Sequence, residues 1–236
     1  MAYSDMAQPQ KALDYLQQAL PIQQTTGDKA GQATTLNNLG MVYLNLGQLP
    51  KALDYYHQAL SLLKQMGARA DEGRTLNGLG RVYSAFGQPQ KALGYYRQAL
   101  PLQQAAGDKA GQATTLNNLG TAYSDYGQLP QALAAFRQAL SIKRSIGEKA
   151  GEATSLTNIG MVYLGTGQPK QALNCLQQAL SIRQALGDKA GQATALSNIA
   201  PVYSALGQPQ KALACYQQVL TIQQALGGRA GEAKPR

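Results

Sequence analysis

The chain repeats itself every 40 residues, and that period constrains its fold more than any other feature. Residues 21–40 read PIQQTTGDKAGQATTLNNLG, and residues 101–120 read PLQQAAGDKAGQATTLNNLG. Such near-identity points to recent internal duplication or to a consensus-like engineered array. One 40-residue unit is too small to bury its own apolar face, so neighbouring units must stack. The 236 residues divide into a partial repeat over 1–27, full repeats over 28–67, 68–107, 108–147, 148–187 and 188–227, and the truncated start of another over 228–236. These are expected to form a single solenoid over 1–236.

Residues 28–67 show what each repeat encodes. Asp28 precedes a helical pattern and suits an N-cap, and Asp108, Glu148 and Asp188 repeat that acidic start. Leu36, Leu39, Gly40 and Tyr43 recur at i, i+3, i+4 and i+7, one face of an α-helix, with Gly40 admitting a close neighbour. Gly47 ends that helix, and Pro50 suits the first turn of a second. The second helix carries Ala52, Leu53, Tyr56, Ala59, Leu60 and Leu63, and Gly67 closes it, as Gly107, Gly147, Gly187 and Gly227 close theirs. Each repeat is thus a helical hairpin.

Those residues resemble the tetratricopeptide repeat family. Leu36, Leu39-Gly40, Tyr43, Ala52, Tyr56 and Ala59 match the family pattern at its spacings, and so do Leu76, Leu79-Gly80, Tyr83, Ala92, Tyr96 and Ala99. Leu116, Leu119-Gly120, Tyr123, Ala132, Phe136 and Ala139 match again, so the resemblance covers essentially the whole chain. The period of 40 exceeds the family's usual 34, and Leu stands where Trp is common. The longer period is similar to that of kinesin light chains, spindle-orientation scaffolds, peptide-pheromone receptors and other bacterial arrays. The resemblance implies an all-α, right-handed superhelix of antiparallel helix pairs, with first helices on the concave side and second helices on the convex side.

Residues 37, 38, 41, 44 and 45 point away from the Leu36/Leu39/Gly40/Tyr43 stripe. Along the repeats this face carries Asn37, Asn38 and Met41, then Arg74, Asn77, Gly78 and Arg81, then Asn117 and Asn118, then Asn158 and Met161, and finally Asn198. A carboxamide both donates and accepts, so it can pair with a peptide backbone without reading side chains. The 40-residue relatives hold extended peptides on an asparagine ladder, and the resemblance implies that role for Asn38, Asn118, Asn158 and Asn198. Gly78 is a gap in the ladder, where Arg74 and Arg81 could attract an acidic side chain or carboxylate. Met41 and Met161 offer adaptable apolar contacts. The competing account is that these amides only bond neighbouring helices and persist through duplication.

Other chemistries find little support. His57 is the one histidine and has no nucleophile at a repeated spacing, which argues against triad chemistry. Gly78-Leu79-Gly80 lies within a helical pattern and is no phosphate loop. No metal site or cofactor is expected: Cys175 and Cys215 occupy equivalent phases of successive repeats, roughly 10 Å apart, and read as free thiols. Tyr55, Tyr56, Tyr95 and Tyr96 read as packing on the convex side. A formal charge of +9 raises nucleic acid as a partner, but the basic residues are scattered over second helices and loops, so a solvated surface is the simpler reading. No signal peptide and no run of 18 apolar residues occurs, so a cytoplasmic protein with no membrane span is expected.

Two irregularities remain. Tyr3 aligns with Tyr43, so the chain begins midway through a first helix, and neither end carries a polar cap; the two end stubs are complementary in phase, which suggests head-to-tail homo-oligomers. Pro21, Pro101 and Pro201 stand inside helical patterns and should kink or interrupt them. The sequence therefore reads as a non-enzymatic scaffold binding an extended peptide or protein segment. The alternatives are a structural or self-associating array and a regulatory fragment of a larger signalling protein.

Overall fold

The computed structural model describes residues 9–232, with side chains over 10–226. Among the described residues the chain is all-α, with eleven helices and no strand. Two compact units divide it, 1–127 and 128–236. The first holds α1 (Pro9–Thr26), α2 (Lys29–Asn45), α3 (Leu49–Met66), α4 (Arg69–Ala85), α5 (Pro89–Ala105) and α6 (Lys109–Asp125). The second holds α7 (Leu129–Ser145), α8 (Lys149–Gly165), α9 (Pro169–Ala185), α10 (Lys189–Ala205) and α11 (Pro209–Glu232).

Helix ends follow the sequence chemistry. The Asp28, Asp108 and Asp188 carboxylates accept from the backbone N–H of Gly31, Gly111 and Gly191. Glu148 makes no such cap and instead pairs with Lys143. Pro50 stands in the first turn of α3, and Gly67 closes that helix at φ +65°, the left-handed region that a Cβ disfavours. Gly227 departs from expectation: α11 runs through it to Glu232. The prolines interrupt nothing, since α1, α5 and α10 continue through Pro21, Pro101 and Pro201. The segment around Tyr3 lies outside the described residues.

Within each unit consecutive helices pack in antiparallel pairs, and first helices also touch one another, α2 to α4 to α6 in one unit and α8 to α10 in the other. The first core gathers Leu39, Val42, Tyr56, Leu76, Leu79 and Val82; the second gathers Leu176, Leu196, Ile199 and Val202. Full burial of a residue such as Leu79 contributes roughly 1.5–3 kcal/mol. Polar pins recur at fixed phase. The side-chain amides of Gln32, Gln112 and Gln192 each donate to the carbonyl nine residues earlier, that of Gln23, Gln103 and Arg183. A side chain on each of four second helices donates to a tyrosine oxygen 26 residues later: Gln17 to Tyr43, Arg97 to Tyr123, Arg137 to Tyr163 and Gln177 to Tyr203. No helix among the described residues is long and apolar enough to cross a membrane.

Candidate functional site

Successive first helices bring their outward residues side by side and leave cavities between them. In the first unit a 310 Å³ cavity is lined by Asn37, Asn38, Met41, Tyr56, Arg74 and Arg81. Beside it a 390 Å³ cavity is lined by Leu44, Asn45, Arg81, Tyr96 and Asn118. Arg81 lines both. The second unit has a 530 Å³ cavity lined by Asn158, Met161, Arg183, Asp188 and Asn198.

The asparagines divide into two kinds. Thr75 Oγ1 donates to Asn37 Oδ1 at 2.9 Å, tying α4 to α2. Asn77 is buried; its Nδ2 donates to Thr115 Oγ1 at 2.7 Å, and its Oδ1 accepts from Asn118 Nδ2 at 3.3 Å. Asn117, half-buried at the same phase of α6, is not free either. These amides bond neighbouring helices. Asn38, Asn158 and Asn198 differ: each is half-buried, lines a cavity and has no hydrogen-bond partner among the described residues. Asn118 is intermediate, with its carbonyl oxygen uncommitted.

The two groove arginines also divide. Arg74 is committed, its Nε 3.1 Å from Asp108 and its Nη1 3.2 Å from Asp71. Arg81 makes no ion pair among the described residues. In the second unit Arg183 is held by Asp188 at 2.8 Å and by Thr154.

Tyr56 and Tyr96 were not foreseen here. Tyr55 and Tyr95 do pack on the second-helix side, stacked on Tyr43 and Tyr83 at 5.3 and 5.2 Å. Tyr56 and Tyr96, however, are buried between first helices and reach the cavities. A Cβ built on Gly78 would stand 2.6 Å from the Tyr56 ring, so the gap in the ladder is the space that ring fills. The replacement of Asn by Gly at one phase was the available signal. Burial pushes the Tyr56 hydroxyl up to about 12, against a smaller opposing pull from Arg81. Tyr96 is raised further by burial, again opposed by Arg81 and helped slightly by Asp125. Both hydroxyls remain protonated donors at neutral pH.

No group of three His, Cys, Asp or Glu side chains suited to a metal occurs among the described residues. Cys175 and Cys215 are free thiols held above the ordinary range by burial, and His57 is exposed on α3.

The tetratricopeptide repeat family profile matches residues 1–65, 31–105, 71–145 and 148–225. No curated protein matches the chain in sequence. Among solved structures, BtubC (BKLC) from P. vanneervenii is 23% identical with a TM-score of 0.81, covering 98% of this chain and 95% of that one. A Podosopora anserina protein of nearly identical TPR-like repeats, named for kinesin light chain, is 23% identical with a TM-score of 0.67, covering 80% of this chain and 94% of that one. A Rap protein complexed with competence and sporulation factor is 18% identical with a TM-score of 0.72, covering 89% of this chain and 61% of that one. These likenesses concern the fold.

Proposed function

Because the chain belongs to the tetratricopeptide repeat family, whose members are generally interaction scaffolds, we propose that it binds an extended peptide or protein segment along its first-helix face without catalysing a reaction. The carrying observation is that Asn38, Asn118, Asn158 and Asn198 line cavities while retaining hydrogen-bonding capacity, whereas Asn37 and Asn77 are consumed between helices. A half-buried amide without a protein partner is well placed to take a backbone N–H and C=O. Within the second unit, with helix pairs about 10 Å apart and an extended chain rising about 3.3 Å per residue, Asn158 and Asn198 meet a bound segment roughly three residues apart. The Rap neighbour, whose structure holds a bound factor, supports ligand capture by this kind of fold. The test compares wild type with Asn158→Ala/Asn198→Ala on a displayed library of 12-residue peptides. About tenfold weaker binding by the variant is expected, from two hydrogen bonds lost. Equal binding removes the ladder.

A second reading rests on α11. Leu213, Tyr216 and Leu220 form a stripe at i, i+3 and i+7, exposed by 58%, 47% and 57%. Their counterparts Leu93, Tyr96 and Leu60 in earlier repeats are buried. We propose that this stripe supports end-to-end association of copies. Light scattering that shows a strict monomer at high concentration removes it.

A further inference from the structure

Resting on the peptide-binding reading, we propose that Arg81 is a carboxylate anchor that fixes the register of the bound segment: an Asp or Glu side chain sits against it, between Tyr56 and Tyr96. Four observations carry this.

The first is position. Arg81 is the one residue that lines both of the first-unit cavities described above, one turn beyond Gly78 on the same face of α4. It stands at the single rung where the ladder offers no amide, between Asn38 on α2 and Asn118 on α6. Two repeat spacings of about 10 Å put those amides roughly 20 Å apart, which an extended segment crosses in about six residues. The acid falls near the middle of that span.

The second is charge. Arg74, on the same helix, is closed by Asp71 and Asp108, whereas no carboxylate lies within ion-pair distance of Arg81 among the described residues. Asp125 is the nearby anion; it is exposed, acts on Tyr96 and does not pair with Arg81. A half-buried guanidinium without a counter-ion favours an anionic ligand. Its planar fork matches a carboxylate in two parallel hydrogen bonds.

The third is the surrounding donor set. Tyr56 lines the cavity on one side of Arg81 and Tyr96 the cavity on the other, and their hydroxyls remain protonated, so each cavity offers a donor to a carboxylate that Arg81 holds. The Met41 side chain lines the first cavity and suits an apolar neighbour of the acid.

The fourth is contrast within the chain. The residue at this phase is Met41, Thr121, Met161 or Pro201 in the other repeats. The cation in the cavity of the second unit, Arg183, is already held by Asp188 and Thr154. Acid selection therefore belongs to the first unit, and the second unit binds through amides and Met161.

The test selects random 12-residue peptides on the full chain as wild type, Arg81→Gln and Arg81→Lys, with circular dichroism confirming that each variant is folded. The best selected peptide is then remade with Gln or Asn for its acid, and with phosphoserine. Wild type should enrich one Asp or Glu at fixed spacing, and removing that charge should weaken binding about tenfold. On Arg81→Gln the same exchange should change binding less than about twofold, and Arg81→Lys should retain part of the preference. Selection of the same acid by Arg81→Gln overturns the anchor, as does tighter binding of phosphoserine than of the acid. Wild-type selection of peptides without an acid also overturns the anchor and leaves the peptide-binding reading standing. Selection of no peptide by wild type overturns both.

Discussion

The ring of Tyr56 lies over both Gly40 and Gly78, and a Cβ on either glycine would come within 2.9 and 2.6 Å of it. One aromatic side chain thereby joins α2, α3 and α4, and its ring fills the space that a side chain at position 78 would need. Elsewhere the corresponding pairs are Tyr96 with Asn118, Phe136 with Asn158 and Leu176 with Asn198. Gly78→Asn should therefore cost about 1–3 kcal/mol of stability through overpacking. Tyr56→Leu in the same chain should relieve it, with a coupling of at least about 0.5 kcal/mol in a double-mutant cycle. Urea unfolding of the four proteins measures this, and simple additivity would contradict the packing account.

Asn77 and Asn38 should separate cleanly by substitution. Asn77→Ala leaves Thr115 and Asn118 without their bond between helices and should cost about 1–3 kcal/mol. Asn38→Ala touches no protein partner and should change stability by less than about 0.5 kcal/mol while weakening peptide binding. Thermal unfolding and a binding titration on the same samples decide the matter.

The Glu152 carboxylate supplies a pH test. A hydrogen bond from Arg144 outweighs burial and, with Lys149, holds this carboxyl below its ordinary value of 4.5. The folded state therefore binds the proton less readily than the unfolded chain. Its contribution to stability is fully present above the ordinary value and is lost as pH falls through the lowered one. Wild type should exceed Glu152→Gln in stability at pH 7, and the gap should close in acid. Unfolding curves for both proteins at several pH values would show a constant gap if the carboxylate contributed nothing.

Pro101 offers a stabilising change. Helix α5 continues through it, yet the residue has no N–H to give to the carbonyl one turn back. Ser stands at the same phase at positions 61, 141 and 181. Pro101→Ser should raise stability by about 1–3 kcal/mol, measured as an increase in the unfolding midpoint.

Helix positions were legible because Gly and Pro punctuate every repeat in phase, Asp opens three of the five complete ones, and Leu36, Leu39 and Tyr43 mark one face. The sorting of the amides was not. Asn37 and Asn38 are adjacent and chemically identical, and only the three-dimensional placement of Thr75 decides that the first bonds a helix while the second is free. Arg74 and Arg81 were equally indistinguishable, because the carboxylate that closes Arg74 comes from Asp108, 34 residues away. The prolines misled in the other direction. A single missing hydrogen bond is a local penalty, and the packing of a stacked helix outweighs it.

The tyrosine oxygens that accept from a side chain 26 residues earlier recur at a spacing of 40 residues or a multiple of it. A junction repeated in this way carries little address: the end of one repeat can make the same kind of bond to the start of another. Recombination between the nearly identical stretches 21–40 and 101–120 would delete 80 residues, two whole repeats, and join surfaces that already fit. Chain length is thus a property that evolution can change in steps of one repeat without redesigning an interface.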